Sequence, residues 1–126
     1  MRAALLCLLL ALTIPLVACD APLDPTFEVI NDEVFASSCA FSSCHDADAP
    51  EADLDLSSEE AAWASLQEPS VESTMARVVA GDPDNSLLLQ ALLREVDDVG
   101  QMPPGVTVPD RELDAIRQWI EDGASQ

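Results

Sequence analysis

The stretch Cys39-Ala40-Phe41-Ser42-Ser43-Cys44-His45 holds two of the four cysteines and the only histidine in the chain. Two thiols with an imidazole directly after the second suit covalent haem attachment. The sulfurs can close thioethers to the porphyrin edge, and the histidine can reach the iron from the same turn of backbone. The usual spacing is C-x-x-C-H. Here four residues separate the cysteines, so two extra residues must bulge out if both sulfurs are to reach the ring. Two other readings stand beside this one. Cys39 and Cys44 can form a disulfide that staples a haemless domain, with His45 an ordinary surface residue. A zinc site using Asp46 is weaker, because zinc draws on two separated ligand pairs and no second pair exists.

The start of the chain speaks for export. After Met1-Arg2 the sequence is apolar from Ala3 to Ala18 apart from Thr13 and Pro15. That is shorter than the roughly 20 residues of a spanning helix and reads as a secretory signal. It ends in Leu16-Val17-Ala18-Cys19, which looks like a bacterial lipobox and implies cleavage before Cys19 and lipid on its thiol. The expected organisation is a lipoprotein signal at 1–18, a lipidated tether at 19–26 and one small domain at 27–124, facing the periplasm or the cell surface. Cys7 leaves with the signal and Cys19 takes lipid, so only Cys39 and Cys44 remain in the folded part. In an oxidising compartment they either pair or are consumed by a cofactor.

Charge narrows the partners. The chain has 24 acidic residues against five basic ones, all arginine, for a formal charge of −19. Such a surface repels nucleic acid and anionic headgroups and suits a basic partner, with steep salt dependence.

Along the chain, Asp24-Pro25 reads as a cap and first helical residue, with Phe27, Ile30 and Val34 on one face of a helix to about Ser37. Residues 46–55 alternate acids, yet the EF-hand positions for glycine and the bidentate glutamate are Glu51 and Ser57, so the EF-hand match fails and the stretch reads as a solvated loop. Ser57-x-x-Glu60 predicts a capping box opening a helix with Ala62, Trp63 and Leu66 buried. After Gly81-Asp82-Pro83, capped by Asp82 or Asp84, Leu87, Leu88, Leu89, Leu92 and Leu93 predict a buried helix to about Glu95. Met102-Pro103-Pro104 forms a stiff loop. Leu113, Ile116 and Ile120, with Trp119, mark a last helix over about Asp110–Asp122, closed by Gly123. The expected fold is all-α, four short helices with long loops around something other than side chains.

Together the cysteine–histidine stretch, Leu54-x-Leu56, Arg77-Val78-Val79-x-Gly81-Asp82-Pro83-x-x-Ser86-Leu87-Leu88, Met102-Pro103-Pro104 and the terminal Trp119-Ile120 helix resemble the small exported c-type cytochromes of the planctomycete kind. The resemblance runs over about residues 27–124. It implies one covalent haem c held by thioethers from Cys39 and Cys44, with His45 and Met102 as axial ligands of the iron. Met75 lacks the following prolines and is the weaker candidate. Such six-coordinate iron suits single-electron transfer between periplasmic redox proteins rather than enzymatic chemistry. The terminal helices would then cross and pack over the haem edge.

Overall fold

The computed structural model describes residues 21–94, 96 and 99–126. The leader, Cys19 and the expected helix end at Glu95 lie outside the described residues. The architecture is all-α: α1 (Phe27–Ile30), α2 (Glu59–Gln67), α3 (Leu87–Leu93) and α4 (Asp110–Glu121), joined by long loops. A single antiparallel bridge, Pro69 to Ala76, is the only pairing of extended backbone among the described residues.

Thr26, not Asp24, caps α1, its hydroxyl accepting from Val29 N at 3.4 Å. The helix does not stay α-helical to Ser37. It continues as a π-helix over Asn31–Cys39, and Ala40 N donates to Phe35 O five residues back at 2.9 Å. This winding has a consequence for Cys39. In an α-helix a residue five positions on is turned roughly 140° away, whereas π winding stacks it over its predecessor. Cys39 thus sits above Val34, its Sγ 3.8 Å from Val34 O.

Ser58, one residue later than expected, caps α2 through Ala61 N at 3.2 Å. Ser57 is instead drawn into a turn, its amide donating to Asp55 Oδ1. Before α3, Asp82 caps a short 3-10 turn at Pro83–Asn85. Ser86 is fully buried; its hydroxyl accepts from Val79 N at 2.8 Å and donates to Asp82 O at 2.9 Å. That knot joins the Val78–Asp82 segment to the start of α3.

The core lies between α1 and α4. Phe27 packs against Trp119 with centroids 5.3 Å apart and meets Trp63 and Phe35 edge-on at 5.2 and 6.4 Å. Ile30, Ile116 and Ile120 are fully buried beside them. Each such side chain contributes roughly 1.5–3 kcal/mol of burial. Trp119 Nε1 donates to Ser125 O at 2.7 Å, and Gly123 turns the chain at φ 104°. Gly81 N donates to Ile120 O at 2.7 Å, so the loop before α3 hangs on the end of α4.

Candidate functional site

The loops, the π-helix and α3 enclose an apolar cavity of about 320 Å³ that shares Val34, Phe35, Leu56, Leu66 and Leu92 with the buried core. Val34, Phe35 and Cys39 reach it from the π-helix. His45, Leu54 and Leu56 come from the following loop, Leu88 and Leu92 from α3, and Met102 from the last loop. No residue of α4 lines it; that helix supports α1 from behind instead of packing over the cavity. The size is that of a small-ligand site.

Three of the four residues singled out between Cys39 and Met102 therefore share one cavity: Cys39, His45 and Met102. Cys44, the residue before His45, is half-buried and does not line it. Met75 is half-buried elsewhere and lines no part of it. Both Cys39 and Cys44 are free thiols. The long spacing is absorbed as a bulge. His45 N returns to Cys39 O at 3.3 Å, Cys44 N turns back to Phe41 O at 2.8 Å, and residues 41–43 are thrown outwards. Phe41 alone is 55% exposed.

His45 is held on both sides. Its own carbonyl accepts from Leu56 N at 2.8 Å, and the Cys44 carbonyl accepts from Glu51 N at 2.8 Å. Its Nδ1 lies 3.1 Å from Leu54 O and 3.2 Å from Glu51 O. Two carbonyl neighbours can only accept, so Nδ1 carries the proton and donates. Nε2 is then the lone-pair nitrogen, free to act as a ligand. Nothing in the one-dimensional sequence signalled this pairing, because its acceptors are backbone atoms of an acidic loop.

The turn that supplies those carbonyls is strained. Ala52 and Asp53 stand at φ 57° and 54°, left-handed conformations that cost non-glycine residues roughly 1–3 kcal/mol each. Arg77 meets that turn. It is 5% exposed, donates through Nη2 to Ala52 O at 2.6 Å and through Nη1 to Ser65 O at 2.7 Å, and borders the cavity. Hydrogen bonds from a charged donor contribute about 1.5–3 kcal/mol, enough to offset much of the strain. Burial pushes the guanidinium down from its ordinary value, while the charges of Asp53 and Glu68 push it back up. Sequence reading quoted Arg77 only as part of a motif; as one of five basic residues in so acidic a chain it could have been singled out.

Met102 is positioned by backbone. Its N–H donates to Ala91 O at 2.8 Å, tying the loop to α3, and the Met102–Pro103 bond is cis. At Cys39, burial pushes the thiol up to about 11, with the nearby Cys44 adding to it. Among the described residues, no three His, Cys, Asp or Glu side chains gather as they would around a bare metal ion.

With this geometry in hand, the comparison with known families is decisive on class. The family described as planctomycete cytochrome C matches residues 42–105, just over half of the chain. The chain belongs to that family, and its all-α fold is that of a cytochrome c-like domain. The match takes in Cys44, His45, Arg77 and Met102, and is shorter than the 27–124 over which the resemblance was drawn; Cys39 and α4 lie outside it. No curated protein and no solved structure matches the chain.

Proposed function

We propose that the chain is a monohaem c-type cytochrome that carries single electrons and performs no enzymatic reaction. The observation that carries the reading is the gathering of Cys39, His45 and Met102 around one apolar cavity, with His45 Nδ1 already occupied by carbonyls. The donor set fits haem c. The protein offers one imidazole nitrogen and one thioether, too few for a bare ion and the right number for a porphyrin iron, whose four equatorial nitrogens come with it. The haem would supply reversible one-electron chemistry at iron.

The chain's own residues do the rest. Cys39 and Cys44 would hold the group covalently, so that a small domain cannot lose it. His45 Nε2 would bind the iron, and so would the Met102 thioether, whose backbone is anchored to Ala91. Leu54, Leu56, Leu88 and Leu92 keep water away, which limits the solvent rearrangement that accompanies a change of charge. With one ligand from His45 and one from Met102, the protein would leave the iron no position for a substrate.

The same reading extends to place and partner. Cys19 carries lipid and holds the domain at a membrane facing the periplasm or cell surface, tethered by residues 19–26. The formal charge of −19 calls for a redox partner with a basic docking face. None of the described helices is long and apolar enough to cross a membrane. Intact-mass measurement on the membrane fraction tests the anchor; an unmodified Cys19 contradicts it.

Purification from a host that attaches haem c tests the core of the proposal. A red protein with the spectrum of His/Met-ligated iron is expected, and Met102→Ala should abolish the methionine signature and lower the reduction potential. A colourless protein whose Cys39 and Cys44 are joined in a disulfide would contradict it. An unchanged spectrum in Met102→Ala would move the distal ligand elsewhere.

A further inference from the structure

We infer that Arg77 is the positioning residue of His45: its buried guanidinium grips the Ala52 carbonyl and thereby holds the turn whose carbonyls fix the imidazole. The chain of contacts is continuous. Arg77 Nη2 donates to Ala52 O at 2.6 Å, and the peptide it grips lies between two left-handed residues, Ala52 and Asp53. The carbonyls that face His45 Nδ1 belong to the same turn: Glu51 O one residue before the gripped Ala52 carbonyl and Leu54 O two residues after it.

Arg77 is itself fixed from two sides. Its other arm donates to Ser65 O near the end of α2, and its carbonyl accepts from Leu88 N in α3 at 3.0 Å. No carboxylate lies within ion-pair distance of it among the described residues. A buried cation donating to two neutral carbonyls is a costly arrangement for packing alone. It is explicable if a strained turn must be held in one shape. A planar guanidinium reaches Ser65 O and Ala52 O from two separate nitrogens in a fixed fork; an ammonium carries its three donors on one nitrogen and does not reproduce that span. As far as it concerns iron, the inference rests on the reading above; as far as it concerns His45 and the turn, it does not.

The test uses the full chain, labelled with ¹⁵N-histidine and purified from a host that attaches haem c, with haem content read first by absorption. His45 is the only histidine, so one signal reports on it. In the unsubstituted chain Nδ1–H should exchange slowly with solvent. Arg77→Lys keeps the charge but loses the bridge, and should speed that exchange about fivefold, the factor carried by one ordinary hydrogen bond. In haem-loaded protein the weaker Nδ1–H bond makes the imidazole less basic, so the reduction potential should rise. Adding Ala52→Gly, which adopts the left-handed conformation without strain, should restore slow exchange. A folded Arg77→Lys chain with unchanged exchange, or a loss that Ala52→Gly does not repair, overturns the inference. Should Arg77→Lys fail to fold, the unsubstituted chain labelled with ¹⁵N-arginine and ¹³C-carbonyl alanine decides: slowly exchanging Arg77 Nη–H signals coupled through the hydrogen bond to the Ala52 carbonyl are required, and their absence overturns it. A colourless chain contradicts the haem reading alone and leaves the exchange comparison to decide the role of Arg77.

Discussion

Burial pushes the Cys39 thiol from its ordinary 9.0 to about 11, so it stays protonated and slow to oxidise until a partner group reaches it. The consequence for stability has a definite sign. As pH rises, the unfolded thiol loses its proton near 9.0 and the folded one only near 11. Between those values the unfolded chain binds fewer protons, so the haem-free chain should lose stability with rising pH across that window and show no such loss below it. Denaturant melts at a series of pH values should show the slope in the haem-free chain and a flatter one in Cys39→Ala. Once the sulfur is a thioether it has no proton to lose, and the slope should vanish. Ser86 offers a second check at this scale. Ser86→Ala takes the partner from the part-buried Val79 amide and should cost about 1–3 kcal/mol in the same melts.

At the scale of elements, α4 was readable because its apolar residues repeat at helical spacing and Gly123 stops it; it spans Asp110–Glu121 as its pattern requires. Ile120→Ala should cost about 2–5 kcal/mol, since Ile120 is fully buried against α1. The first helix was located correctly and wound wrongly in expectation. Spacing of Phe27, Ile30 and Val34 is α-helical, and no local residue announces that the following turns widen. The π winding brings Cys39 over Val34, a placement that residue types along the segment do not reveal. Cap positions at Thr26 and Ser58 differ by a residue or two from Asp24 and Ser57 for a similar reason. Neighbouring residues of like chemistry compete for the cap, and packing of the apolar face decides between them. The loop at Met102–Pro104, which reaches the cavity, was legible from its prolines, while the hold on His45 was not, since backbone carbonyls leave no trace in residue type.

For the molecule as a whole, the long loops make sense as walls. A chain of this length with four short helices closes around a cavity instead of filling its middle with side chains. The aromatic core between α1 and α4 carries the domain, and the cavity side is free to be shaped by loops. The acidic surface sets the behaviour towards partners. With no lysine and 24 carboxylates, electron transfer to a basic protein should slow steeply as salt is raised from low ionic strength to about 0.5 M, as screening shortens to a few ångströms. Stopped-flow rates at several salt concentrations would show it, and a flat profile would argue against a charged docking face.

The central claim is that Cys39 and Cys44 together hold a haem in this cavity despite their long spacing. Mass spectrometry of the denatured protein, followed by sequencing of the peptide that spans residues 39–45, tests it most directly. The account predicts one haem retained through denaturation, with both sulfurs modified. Haem lost on denaturation, or a peptide carrying a Cys39–Cys44 disulfide and no added mass, would contradict it.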